Sequence, residues 1–331
     1  LIFLVLLLLA MTDIARAQEA DHLPVKVVAD QRLTISTPAG TGSLPIYLSA
    51  DWTVPQPAVT RAVIVVHGTM RDADVYFASA QRARQDAGTS GTTTLLVVPQ
   101  FLAETDIAAH HLPPETLRWT LDGWKGGEPA KGPAPLSSFD AFDAVLGHLS
   151  DARLFPALHI VVVAGHSAGA QVVQRYAVVG RGETALTARG IAVRYVVANP
   201  SSYLWFGELR PRPTCPGFDR WRYGLRDAPP YVGDTSGVED RFIKREVVYL
   251  LGALDTNPAH PYLDRTCAAE AQGETRFARG MLNMLYLEQR HPNQVQQRIL
   301  TIPAVGHNGG RMFGSVCGMA ALFDRPGCPG F

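Results

Sequence analysis

Six short apolar runs recur along the chain: Ala62–Val66, Thr94–Val98, His159–Ala164, Val193–Ala198, Val247–Leu251 and Gln297–Thr301. Most are continuous in Val, Ile and Leu rather than alternating with polar residues. That is the pattern of strands covered on both faces in a parallel sheet. Between the runs, apolar residues fall at helical spacing over 74–87, 138–149, 168–179, 264–289 and 310–322. Strand–helix alternation of this kind predicts a doubly wound α/β sheet. Two earlier runs, near 31–37 and 44–49, read as an antiparallel hairpin at the sheet edge. The 331 residues are 47% hydrophobic, enough to bury a core on both faces of such a sheet.

Two stretches resist a regular reading. Residues 103–136 are rich in Pro and Gly and carry Trp119 and Trp124. Residues 199–245 hold Pro200, Pro211, Pro213, Pro216, Pro229 and Pro230, with Tyr203, Trp205, Phe206 and Trp221. Irregular segments this long inside a compact domain are usually functional. Both follow strand C-termini, the edge where open α/β sheets build their sites. The 199–245 segment is expected to form a cap or rim. Trp124, Tyr203, Trp205 and Phe206 are expected to line an apolar acyl or aryl pocket, the alternative being that they pack the loops onto the domain.

The third strand run leads directly into Gly165-His166-Ser167-Ala168-Gly169. After it, Ala170, Val172, Val173, Tyr176 and Ala177 mark one helix face. A G-x-S-x-G between a strand and a helix is the setting of a nucleophilic serine on a sharp turn. The flanking glycines suit a turn packed too closely for side chains. The helix N-terminus beyond it offers free N–H groups and a positive dipole end.

A hydroxyl attacking a carbonyl creates an oxyanion, which needs two N–H donors already in place. Ala168, the residue after Ser167, supplies one. The first strand run ends in His67-Gly68-Thr69-Met70, and Thr69 is the expected second donor, with Met70 in reserve.

Ser167 also needs a histidine as general base and a carboxylate to orient it. Of the ten histidines, only His260, His291 and His307 follow the serine. His307 stands just past the last strand run and is the expected base. His291 beside Pro292 reads as a surface residue, and His260 precedes the last strand. The penultimate strand run ends in Gly252-Ala253-Leu254-Asp255, which makes Asp255 the expected acid. Asp264 is its competitor, although it also suits a helix N-cap. Asp234 and Asp240 fall in the irregular segment.

The His-Gly loop, the elbow, the acid and the terminal Gly-His, in this order, resemble the α/β-hydrolase superfamily on its esterase and lipase side, as found in secreted bacterial serine hydrolases. The resemblance covers about residues 30–323. It implies a mostly parallel eight-stranded sheet flanked by helices, and acyl transfer through Ser167 on a carboxylic ester, either a small molecule or a polymer. A peptidase or amidase on the same fold is the alternative. It implies no metal or organic cofactor. Arg71-Asp72-Ala73-Asp74-Val75-Tyr76-Phe77, directly after the oxyanion loop, is similar to a group of uncharacterised bacterial hydrolases. The His-Gly-Gly-Gly run of the hormone-sensitive-lipase-like esterases is absent.

Leu1–Ala10 is an uncharged apolar run followed by Ala15-Arg16-Ala17, the small-x-small pattern of a signal-peptidase site. Residues 1–17 therefore read as a leader of a secreted or periplasmic protein, with 18–331 as the catalytic domain. The run is short for a bilayer span, and no other long uncharged stretch follows. Cys215, Cys267, Cys317 and Cys328 are even in number, which in an exported chain suggests two disulfides. Three pairings are open; Cys317–Cys328 with Cys215–Cys267 is the most local. Lys+Arg and Asp+Glu both number 30, so no basic excess exists to bind nucleic acid.

Overall fold

The structure, a computed structural model, describes residues 21–331, so the expected leader at 1–17 lies outside the described residues. The edge hairpin is present as β1 (Gln31–Thr37) and β2 (Gly40–Leu48). Pro38 and Ala39 form its turn, and Gly40 takes a φ of +134°, which favours glycine. Next come β3 (Arg61–Val66), α1 (Ala73–Asp86) and β4 (Thr94–Pro99). A small parallel pair follows, β5 (Leu102–Ala103) and β6 (Arg118–Trp119). The rest runs α2 (Ser138–Leu149), β7 (Ile160–His166), α3 (Ala168–Val179), β8 (Ala192–Ala198), β9 (Glu246–Gly252), α4 (Arg276–Arg290), β10 (Arg298–Ile302) and α5 (Val316–Phe323).

The main sheet has eight strands in the order β1-β2-β4-β3-β7-β8-β9-β10. The β1–β2 and β2–β4 pairs are antiparallel, and every other pair is parallel. The chain leaves β3 toward β4 on one side, and β7 later pairs with its other side. Strand order reverses at β3, and such a switch point opens a crevice at the strand C-termini. Both the His67 loop and Ser167 emerge there, because Val66 and Gly165 are register partners on β3 and β7.

Alternate residues of the central strands feed two cores. Ile64, Val163, Val197 and Tyr249 point toward α2 and α3, with Tyr286 and Leu287 of α4 in the same cluster. Val65, Val162, Val196 and Leu250 point toward α1 and α5. Each such side chain contributes about 1.5–3 kcal/mol when fully buried. This two-sided burial is why the runs lack polar alternation.

Helix starts follow the capping chemistry. Ser137 Oγ accepts the Phe139 N–H at 3.0 Å, and Asp140 reaches back to the Ser137 N–H at 2.8 Å, which starts α2. Two helices expected to be continuous are broken. The 264–289 stretch divides into Cys267–Glu270 and α4, because Gly273 takes a φ of +145° and Thr275 caps α4. The 310–322 stretch divides into Gly309–Phe313 and α5, because Ser315 accepts the Gly318 N–H and restarts the helix. Apolar spacing carries through both breaks, which is why periodicity alone missed them.

The 199–245 segment is mostly turns, with one short helix at Val238–Phe242. A disulfide joins its Cys215 to Cys267, and a second joins Cys317, in the first turn of α5, to Cys328. Among the described residues no helix is long and apolar enough to cross a membrane.

Candidate active site

Ser167 stands between the last residue of β7 and the first of α3, with φ +59° and ψ −119°. A residue with a side chain occupies this region only when its surroundings hold it there. The neighbouring glycines explain the hold. A Cβ on Gly165 would lie 2.3 Å from the Gly169 carbonyl oxygen, and one on Gly169 would lie 2.3 Å from that of Val66. The turn is therefore clamped between α3 and the end of β3, and the Ser167 N–H is tied to the Ala198 carbonyl at 3.0 Å.

His307, on the loop after β10, presents Nε2 to Ser167 Oγ at 2.9 Å. Its Nδ1 lies 2.7 Å from Asp255 Oδ2. With the carboxylate accepting, Nδ1 carries the proton, and Nε2 is the acceptor facing the serine. Burial, then the Arg276 charge and His260, hold the His307 pKa well below the usual imidazole range. Burial pushes the Asp255 carboxyl up, opposed chiefly by Arg276, whose Nη1 is 3.4 Å from Oδ1. Arg276 has no exposed side-chain surface and also donates to Ser201 Oγ at 2.8 Å.

The competing acids are occupied elsewhere. Asp264 accepts from Thr266, from the Tyr223 hydroxyl at 2.8 Å and from Ser202. Asp234 accepts from Ser236, and Asp240 lies within the short helix of the 199–245 segment. His291 is paired with Glu239 at 2.8 Å.

Asn199 is not singled out in the sequence, and His166 and His260, which stand there as an elbow residue and a rejected base, take up positions against His307. Asn199 Nδ2 donates to the Gly306 carbonyl at 3.1 Å, and its Oδ1 accepts the Gly252 N–H at 2.8 Å. One buried amide thus joins the loop before His307 to the strand end before Asp255. The His166 ring lies 4.6 Å from that of His307 and is held by the Tyr76 hydroxyl at 3.0 Å. The His260 ring meets His307 edge-on at 4.9 Å. Asn199 and His260 lie in no motif, and only the fold brings them and His166 to one point.

The loop after β3 is equally fixed. His67 Nε2 accepts the Phe101 N–H at 2.9 Å, which leaves Nδ1–H to donate to the Gly68 carbonyl at 2.8 Å. Full burial pushes its pKa down to about 4, so it is neutral. Arg71 forms a buried ion pair with Asp106 at 2.7 Å and anchors the far end of the loop. Lys125 Nζ donates to Thr69 Oγ1 at 3.0 Å and also contacts Asp122. Among the described residues, neither the Thr69 nor the Ala168 N–H has a protein acceptor within hydrogen-bond range.

Ser167 opens onto two cavities. One, of about 430 Å³, is lined by Thr69, Lys125, Ala168, Gln171, Arg222 and Asp264, among others. The other, of about 480 Å³, includes Met70, Val75, Tyr76, His260 and His307.

Trp124, Tyr203, Trp205 and Phe206 line neither cavity, which corrects the expectation of an aromatic pocket. All four are at most 2% exposed and belong to the α2–α3 core. Trp124 stacks on Phe101 and lies 4.8 Å from His67. The Tyr203–Phe206 stretch can run inside because buried amides satisfy its backbone. Gln272 bonds both the N–H and the carbonyl of Tyr203, and Gln174 accepts the Leu204 N–H. Trp205 then packs on Tyr286 at 4.3 Å.

No protein-family model matches the sequence, and no curated protein does. Solved structures do match. One is poly(aspartic acid) hydrolase-1 from Sphingomonas sp. KT-1, at 22% identity and a TM-score of 0.59, covering 88% of this chain and 96% of that one. Another is a poly(3-hydroxybutyrate) depolymerase from Bordetella parapertussis, at 21% identity and a TM-score of 0.63, covering 94% and 96%. At this identity the likeness establishes the fold, which is that of the α/β-hydrolases.

Proposed function

We propose that the chain is a serine hydrolase that cleaves carboxylic esters through an acyl-enzyme on Ser167. The observation that carries this reading is the hydrogen-bonded series Ser167 Oγ, His307 and Asp255, at 2.9 and 2.7 Å, on a turn held at positive φ. In the first half-reaction His307 Nε2 takes the Ser167 proton as Oγ bonds to the ester carbonyl carbon. The negative oxygen is received by the N–H groups of Thr69 and Ala168. The carbon–oxygen bond to the alcohol then breaks, and the alcohol leaves with the proton from His307. In the second half-reaction water repeats the sequence, releasing the acid and regenerating Ser167. Asp255 keeps Nδ1 protonated and stabilises the imidazolium without taking its proton.

The polymer part of the reading draws on the two solved structures of the same fold, one named for poly(aspartic acid) and the other for poly(3-hydroxybutyrate). The poly(aspartic acid) name also keeps an amidase or peptidase in view. Two disulfides fit a chain that matures in an oxidising compartment, in keeping with a secreted or periplasmic location.

A p-nitrophenyl ester series beside a peptide anilide tests the reaction, together with fluorophosphonate labelling of Ser167. Ester turnover and labelling, both lost in Ser167→Ala, are expected. Anilide turnover exceeding ester turnover would give the amidase reading, and absence of labelling would refute the nucleophile.

A further inference from the structure

The two cavities at Ser167 differ in chemistry, and the position of His307 orders them. The departing alcohol takes its proton from His307 Nε2, so it must leave on the side of the serine that His307 occupies. His307 lines the cavity of about 480 Å³ and not the one of about 430 Å³. The acyl group, on the opposite side of the reacting carbon, then lies in the smaller cavity.

That smaller cavity is polar. Lys125 and Arg222 face it with Asp122 and Asp264, and Gln171 and Thr266 add neutral hydrogen-bonding groups. Lys125 is only 8% exposed, so its ammonium is presented at the cavity wall rather than to bulk water. Cations and carboxylates occur together, which suits a neutral guest that both accepts and donates hydrogen bonds. The alcohol side carries Met70, Val75 and Tyr76, with Asp72 and Arg82 as its charged lining residues, while Tyr262 lines both cavities. It is also longer. Ser79, Arg82 and Gly310 line both this cavity and a groove of about 880 Å³ that continues past Ile302 to Val316. At the junction Gly310 has no side chain, and a Cβ there would stand 3.2 Å from Ser79 Oγ.

The geometry points to a substrate in which a short hydroxylated acyl group is esterified to a longer apolar alcohol portion. This rests on the serine-hydrolase reading and assigns the two sides of its site. It reverses the expectation of an aromatic acyl pocket, whose residues lie in the core.

The test compares hexyl 3-hydroxybutanoate with its polarity-reversed counterpart, 3-hydroxybutyl hexanoate, and with hexyl butanoate. A site built to hydrogen-bond a substrate hydroxyl discriminates strongly against partners lacking it, so hexyl 3-hydroxybutanoate should lead both others in kcat/KM by about tenfold or more. Lys125→Met should shrink its lead over hexyl butanoate, a ratio that any loss common to both substrates leaves unchanged. Val75→Arg, at a position 52% exposed, should reduce turnover of hexyl 3-hydroxybutanoate relative to methyl 3-hydroxybutanoate. Equal or reversed preference in a wild-type protein that turns over esters and labels with fluorophosphonate overturns the assignment of sides alone. Absence of both turnover and labelling takes down the hydrolase reading and the assignment with it.

Discussion

Arg276 Nη1 lies 3.4 Å from Asp255 Oδ1, while His307 uses the other oxygen of the same carboxylate. The pair is buried, so the guanidinium acts on Asp255 with little solvent screening. It lowers the Asp255 pKa against burial and also disfavours a proton on His307. The mechanism proposed above needs Asp255 ionised and His307 neutral. Removing Arg276 makes both groups protonate at higher pH, so activity is lost earlier on acidification. Arg276→Met is expected to move the acidic limb of the kcat/KM profile upward by about one unit or more. An unmoved or downward-moving limb would remove Arg276 from this role.

Ser167 holds a backbone conformation that glycine adopts without strain. Both Ser167→Ala and Ser167→Gly lose the hydrogen bond to His307, so comparing them isolates the strain. Gly should be the more stable by about 1 kcal/mol in urea unfolding, the reverse of the usual order. Equal or greater stability of the Ala variant would show that the turn is relaxed.

Gly169 and Gly147 make a matched pair. A Cβ at Gly169 meets backbone oxygen at 2.3 Å, whereas at Gly147 on α2 nothing lies within 4 Å. Gly169→Ala is expected to cost about 3 kcal/mol or to abolish folding. Gly147→Ala should stabilise α2 by up to about 1 kcal/mol. Denaturant midpoints of the two variants check both signs.

The disulfides close chain separations of 52 and 11 residues. In the chain-entropy model the longer contributes about 4 kcal/mol and the shorter about 3 kcal/mol. Replacing Cys215 and Cys267 by Ser should therefore destabilise more than replacing Cys317 and Cys328. Unfolding curves of the two paired variants would reverse this order if native-state strain, rather than loop closure, dominated.

Local patterns made the strands and three helices readable, because two-faced burial leaves continuous apolar runs and caps sit at helix starts. Ser167, Thr69, Asp255 and His307 could be nominated because each follows a strand end, and the structure brings Ser167, His307 and Asp255 into one hydrogen-bonded series. Asn199, His260 and Arg276, and the contacts of His166 beyond the elbow, were not legible as a group. They depend on distances between elements, and a polar residue in sequence carries no signature of the side chain it will meet. The aromatics misled for a related reason. Trp and Tyr clustered in an irregular segment fit a pocket or a core equally well, and what lets the stretch go inside is backbone satisfaction by Gln174, Gln272 and the Tyr223 carbonyl.

Asn199 has a consequence for how such a molecule can diversify. The spacing of Asp255 and His307 is referred to one amide, on the residue that directly follows β8, and not to the rest of 199–245 or to 103–136. Insertions or deletions in those segments alter the walls around the reacting atoms and leave that reference point in the sheet. The walls of the two cavities and the spacing of the Ser167, His307 and Asp255 side chains are thereby set by different parts of the chain.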